Sequence, residues 1–313
     1  MTLEVGNLIA FMTYAMQILI SFMMLSMIFV MVPRAQASAD RINEVLDEEE
    51  EIVDDKAPKM IQLKGDQATL AFDHVNYRYH GAEKLALQDI DFQAKSGDFV
   101  AIIGGTGSGK TTLVNLLPRL YDIESGAIRI NGVNIAEVTQ HNLRDSVGFV
   151  PQKAVLFTGT IRENMKYGRP DATDEEIWKA LEIAQAKEFV SELSEGLDSH
   201  VEQGGGNFSG GQRQRLAIAR ALVKQADVYV FDDSFSALDF KTDAQLRAAL
   251  KKDMKNSIMV VVAQRVSTVM DADTILVLDE GQLVGKGTHE ELMASNQTYQ
   301  EIVSSQLREE DVA

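Results

Sequence analysis

Four glycines and a lysine stand within nine residues, Gly104-Gly105-Thr106-Gly107-Ser108-Gly109-Lys110-Thr111-Thr112. Glycine adopts backbone angles closed to other residues, so such a loop can turn successive N–H groups onto phosphate oxygens. In the spacing G-x-x-x-x-G-K-[ST], Lys110 is the mobile cation for β- and γ-phosphates and the Thr111 hydroxyl is a magnesium ligand. A glycine-rich turn alone is often only loop chemistry, and the flanking segments decide otherwise here. The apolar run Phe99–Ile103 reads as a buried parallel strand, and Leu113–Leu117 continues as a helix whose N-terminal dipole backs the loop. The spacing predicts binding of a nucleoside triphosphate.

Two further groups belong to the same chemistry. Val228–Phe231 is a second strongly apolar strand, and it ends in Asp232-Asp233. An acid at the carboxyl end of a buried strand in a phosphate-loop fold is placed to hold magnesium, the role given to Asp232; the following position is where such ATPases keep the group that polarises the attacking water. Between loop and acids lies Phe208-Ser209-Gly210-Gly211-Gln212, running into the helical pattern Leu216–Leu222. Ser209 is a good N-cap, and the glycines leave backbone N–H groups free at the helix start, a second anion-binding terminus.

These residues need an α/β scaffold to position them. From about Gly65 to residue 308 the chain reads as one such domain, with residues 309–313 as a tail. Alternating segments near Thr69–Tyr79 and Asp89–Phe92 predict an antiparallel β edge beside the parallel core. Ahead of it, Leu8–Val32 carries no charged side chain and is long enough for a hydrocarbon core of about 30 Å. Residues 1–34 therefore read as a transmembrane helix; the length and the lack of a preceding Lys or Arg argue against a signal peptide. Arg34 and Arg41 follow the span, which places what comes after it in the cytoplasm. Thr13, Gln17 and Ser21 share one face, suited to meeting other helices. Residues 35–64 continue the helix to Leu46 and then form an acidic linker, Asp47–Glu51 and Asp54-Asp55, that serves as a spacer.

Composition narrows the class. The 313 residues are 45% hydrophobic, carry a formal charge of −17 and contain no cysteine. Disulfides and thiolate metal sites are excluded, and so strong a negative charge disfavours nucleic acid as a partner. The five histidines have no metal-ligand spacing.

Taken together these motifs resemble the nucleotide-binding domain of ABC transporters, preceded by the last membrane helix of an exporter half-subunit. The resemblance implies a P-loop NTPase fold of ABC type, with a parallel core sheet, an antiparallel edge and a helical signature subdomain. It makes ATP and Mg2+ the ligands. It gives Tyr79 the adenine, Gln152 a magnesium contact and sensing of the membrane domain, and Ser236-Ala237-Leu238-Asp239 the role of D-loop at a dimer interface. The signature Ser209–Gln212 would complete the ATP site of a partner subunit arranged head to tail. Val201–Gly205 would face the coupling helices, and Thr288 and Glu291 are spaced as a capping box.

Two positions depart from the family pattern. Asp233 stands where the family keeps a catalytic glutamate, and Gln264, before Arg265, replaces the switch histidine. Losing a methylene draws the carboxylate back by about 1 Å, a misplacement that can cost on the order of 100-fold in rate. Glutamine can donate a hydrogen bond to a γ-phosphate but carries no imidazolium charge. The expectation is a chain that binds ATP and hydrolyses it poorly, paired with a non-identical half-transporter in the cell membrane. The family uses six membrane helices per subunit and one is present, so an upstream part is expected elsewhere. The rival readings are a soluble ABC-type ATPase acting on ribosomes or DNA, and a membrane-tethered nucleotide sensor.

Overall fold

The computed structural model describes residues 5–48 and 50–310. Met1–Glu4, Glu49 of the acidic run and residues 311–313 of the expected tail lie outside the described residues. The chain divides into two units, Met1–Val53 and Asp54–Ala313.

The first unit is one helix, α1 (Val5–Leu46), whose 42 residues run unbroken through Pro33. At ~1.5 Å per residue it is roughly 63 Å long, more than a hydrocarbon core requires. Its most apolar 18-residue window has a mean hydropathy of 2.3, and it is the one described helix long and apolar enough to cross a membrane. The expected polar face is partly self-contained: Thr13 and Ser21 donate their hydroxyls to the carbonyls of Ile9 and Gln17 at 2.9 and 2.8 Å. Such back-bonding satisfies a hydroxyl without a neighbouring helix.

The second unit begins earlier than Gly65. Asp54 accepts from the Gln140 N–H, Lys59 bridges to Val138, and Ile61 is buried in the core. Asp227, itself buried, accepts the N–H groups of Lys64 (2.8 Å) and Gly65 (3.0 Å) and the Asn131 amide (2.6 Å). A carboxylate with three donors is well stabilised in the interior, so this residue fixes the arriving chain.

The strands are β1 (Thr69–Tyr77), β2 (Leu87–Lys95), β3 (Phe99–Gly104), β4 (Ser125–Ile130), β5 (Val133–Asn134), β6 (Val147–Val150), β7 (Gly159–Thr160), β8 (His200–Val201), β9 (Val228–Asp232), β10 (Ile258–Val262), β11 (Thr274–Asp279) and β12 (Gln282–Gly287). All but β7 and β8 form one sheet in the order β5-β4-β1-β2-β12-β11-β3-β10-β9-β6. From β11 to β6 neighbouring strands are parallel, whereas β1, β2, β4 and β5 pair antiparallel. The expected antiparallel edge is thus present, joined to the core through β12.

Apolar residues along β3 and β9 feed two separate cores: Val100, Ile102, Val228 and Val230 pack on one face, Phe99, Ala101, Ile103, Tyr229 and Phe231 on the other. A sheet covered on both faces needs uninterrupted hydrophobic strands, which is why no alternation shows there. The helices of this unit are α2 (Lys110–Asn115), α3 (Gln140–Ser146), α4 (Ile161–Lys166), α5 (Asp174–Ile183), α6 (Lys187–Glu192), α7 (Gly210–Val223), α8 (Phe240–Asp253), α9 (Val266–Val269), α10 (His289–Ser295) and α11 (Gln297–Glu310). α2 stops short of the expected Leu117, because the Leu116 and Leu117 N–H groups bond three residues back and tighten its end. α11 reaches Glu310, two residues into the expected tail.

Candidate nucleotide site

β3 delivers the chain at Gly104 into the loop, and α2 leaves it at Lys110. Two glycines are required by geometry. A Cβ on Gly104 would lie 2.2 Å from the Leu278 carbonyl oxygen of the paired strand β11, and Gly109 has φ +100° with Leu87 Cδ2 2.9 Å from where a Cβ would be. Gly105 and Gly107 face open space, which leaves their N–H groups approachable. The expected outcome is that Gly104→Ala loses nucleotide binding at least 10-fold in a titration while Gly105→Ala stays near the native affinity, a contrast that follows from the first forcing backbone movement.

The Ser108 hydroxyl is buried with no partner among the described residues. Lys110 Nζ folds back onto the loop, donating to the carbonyls of Gly104 (2.9 Å) and Gly105 (2.7 Å). Burial depresses the pKa of this ammonium, opposed by the charges of Asp233 and Asp232. An orphan hydroxyl and a cation held by neutral carbonyls are groups that a phosphate would satisfy.

Thr111 Oγ1 donates to Asp232 Oδ1 at 3.2 Å, so the two assigned magnesium ligands meet at the end of β9. Burial raises the Asp232 pKa, with the Thr111 hydrogen bond opposing and the Asp233 charge adding to the shift. The donor set of hydroxyl and carboxylate oxygens fits a hard divalent cation.

Asp233 turns the chain at φ +45°, a left-handed conformation that aspartate tolerates better than most residues. Its carboxylate Oδ2 accepts from Gln152 Nε2 at 3.1 Å and from Gln264 Nε2 at 2.7 Å. Both sequence-assigned amides therefore converge on one oxygen of the acid. Burial raises the Asp233 pKa, and the hydrogen bonds from Gln152 and Ser236 oppose it. The D-loop joins the same network: Ser236 Oγ donates to the Asp233 carbonyl at 2.9 Å, and Arg265 reaches the Ser236 carbonyl at 3.4 Å.

Tyr79 is 40% exposed and bonded to Thr112 Oγ1 at 2.8 Å, at the mouth of the loop. Tyr77 and Tyr121 stand edge-on to it at 5.0 and 5.5 Å. Tyr121 carried no sequence signal; it follows α2 by six residues and reaches Tyr79 only through the fold.

Ser209 caps α7 as expected, and Gln212 completes a capping box, with Ser209 Oγ accepting the Gln212 N–H at 3.2 Å and Gln212 Oε1 accepting the Ser209 N–H at 2.9 Å. Ser209 and Gly210 are exposed. Gly211 lies against the D-loop, where a Cβ would be 3.4 Å from the Ala237 oxygen and 3.7 Å from Leu238 Cδ2. Asp239 caps α8 through the Thr242 N–H. Phe208, which precedes the cap, is buried beside Phe189 with ring centroids 6.4 Å apart. Thr288 and Glu291 also form their capping box. No hydrogen bond among the described residues links Ser209–Gln212 to the phosphate loop.

Comparison with known proteins places these features. The family pattern described as "ABC transporter" matches residues 87–236. An ABC transporter ATP-binding protein of Mycobacterium tuberculosis (strain ATCC 25618 / H37Rv) is 44% identical over 307 residues, 97% of this chain and 52% of that protein. The ATP-dependent lipid A-core flippase of Albidiferax ferrireducens is 38% identical over 295 residues, covering 94% of this chain and 50% of the flippase. Among solved structures, that of a bacterial Atm1-family ABC exporter with ATP bound superposes with a TM-score of 0.84 at 35% identity, covering 98% of this chain and 53% of the other. The chain spans about half the length of the curated relatives it matches.

Proposed function

The chain belongs to the ABC transporter family, and from that premise we propose that it is the ATP-binding part of an exporter subunit whose own ATP site binds well and hydrolyses weakly. Its signature, Ser209–Gln212, then completes the working ATP site of a non-identical half-transporter. The observation that carries this reading is the Gln152–Asp233–Gln264 cluster. Two neutral amides hold the shortened acid by one oxygen, and the one from Gln264 stands where the resemblance expects an imidazole.

In this reading Gly104–Gly109 wrap the phosphates, Lys110 exchanges its loop carbonyls for β- and γ-oxygens, and Tyr79 stacks on the base. Thr111 and Asp232 would hold Mg2+, with Gln152 assigned to the same ion, and the ion would supply charge neutralisation for the phosphates. Asp233 would orient the attacking water and take its proton, with one methylene less reach than a glutamate would have. The apolar α1 anchors the chain in the cell membrane with the Asp54–Ala313 unit in the cytoplasm, in keeping with Arg34 and Arg41 after the span. The single helix belongs to a larger bundle, because one helix encloses no path.

The test is ATP turnover by this chain in lipid nanodiscs, alone and mixed with a candidate partner half-transporter, at equal nucleotide occupancy. Binding with little turnover alone, and turnover restored in the mixture, is the expected result. Turnover alone at rates ordinary for the family, abolished by Asp233→Asn, would make it a working homodimeric ATPase.

A further inference from the structure

The loop that carries Gln264 is held from outside the site. Val266 opens the four-residue helix α9, whose N-cap residue Arg265 makes no side-chain cap. The first N–H groups of any helix need an external acceptor. For Val266 that acceptor is Gln306 Oε1, on α11, at 2.7 Å. The same Gln306 amide donates its Nε2 to the carbonyl of Gln264. One side chain thus closes both backbone groups that flank Arg265, and the Gln264 side chain proceeds from there to Asp233.

The support behind Gln306 is firm. Tyr299 and Val303, seven and three residues earlier on the same face of α11, are buried in the core, and Tyr299 OH bonds His289 Nδ1 at 2.8 Å. A primary amide carries a donor and an acceptor side by side, whereas an ionised acid only accepts, a lysine only donates and an alkyl side chain does neither, so none of these makes both bonds.

We propose that Gln306 is a positioning residue for the γ-phosphate end of this chain's nucleotide site: it sets the place of Gln264, and through it the preference for ATP over ADP. The inference rests on the ATP-site reading above. ADP lacks the γ-phosphate that Gln264, beside Asp233, would meet in that reading, so displacing the loop should weaken one nucleotide and spare the other. A residue of merely structural importance affects both alike.

The experiment measures MgATP and MgADP affinity of the chain in nanodiscs by displacement of a fluorescent nucleotide. Gln306→Met, similar in length but unable to make either bond, is expected to weaken MgATP roughly 10-fold, the scale of one or two net hydrogen bonds, with MgADP changed less than about 2-fold. Gln306→Glu keeps the cap on Val266 while turning a carboxylate toward the Gln264 carbonyl, and is expected to show the same ATP-selective loss in a helix whose cap is intact. In a Gln264→Ala background, Gln306→Met should add nothing. Equal weakening of both nucleotides, no weakening of either, or a full additional loss in Gln264→Ala overturns the proposal. Lys110→Ala, which should weaken both nucleotides, identifies the other failure: if it changes neither affinity, the nucleotide-site reading is wrong and the role of Gln306 falls with it.

Discussion

Asp233→Glu combined with Gln264→His is expected to raise ATP turnover at this chain's own site on the order of 100-fold. The extra methylene returns the carboxylate the ~1 Å that separates a poorly placed base from a reactive one, and 100-fold corresponds to about 2.7 kcal/mol of barrier. The histidine supplies a donor that can be cationic near neutral pH, where the present amide is neutral. The gain should appear in kcat with KM little changed, because the phosphate loop and Lys110 are untouched. Either substitution alone should give less, since the amide of Gln264 now holds the acid it would have to release. The Asp233 backbone moderates the effect: φ +45° suits aspartate better than glutamate, so some of the gain is spent on conformation. Phosphate release by the double variant, measured against a Gln264→Ala control, is the check; an unchanged rate would mean that Asp233 already reaches the water.

Gly210→Asp is expected to abolish turnover in a complex with the partner, by on the order of 1000-fold, while leaving this chain's own MgATP affinity unchanged. Gly210 is the first residue of the 14-residue helix α7, exposed, with nothing within 4 Å of a Cβ. An aspartate there is compatible with the fold, since acids in a first turn favour the helix. It would, however, face the γ-phosphate of the partner's ATP. Two like charges at about 4 Å in an effective dielectric near 20 repel by about 4 kcal/mol, which sets the magnitude. Ser209→Ala is a less clean variant, because it also removes the cap and about 1 kcal/mol of helix stability. Turnover that persists in the Gly210→Asp complex would show that this signature does not complete a working site.

The local parts of the site were legible in the sequence because spacing encodes local chain conformation. The strand before Gly104, the left-handed glycine before Lys110, the acid pair closing β9 and the Ser209–Gln212 box each follow from a few consecutive residues. The departures at Asp233 and Gln264 were visible only against the family pattern that the motifs resemble. What stayed hidden depends on contacts between distant segments. Gln306 lies some forty residues past the loop it holds, and its amide is one of many exposed-looking glutamines. Tyr121 becomes Tyr79's neighbour only once β1 and the end of α2 are brought together. The start of the globular unit at Asp54 was obscured because an acidic stretch reads as solvated linker, whereas Lys59, Ile61 and Lys64 find partners more than seventy residues away. The resemblance gave Gln152 a magnesium contact, whereas its amide donates to the carboxylate of Asp233, a partner that no local spacing announces.

The mooring at Asp227 has a mechanical meaning. This carboxylate grips the chain at Lys64 and Gly65, and the next residue, Val228, starts β9, the strand whose far tip carries Asp232 and Asp233. β9 lies between β10 and β6, clamped by parallel partners on both sides, so it transmits load along its length rather than peeling. A tug on the polypeptide at residue 64 is therefore borne at the foot of the strand that ends in the two acids, and the short run from the tow point to the acids is a stiff rod instead of a slack cord.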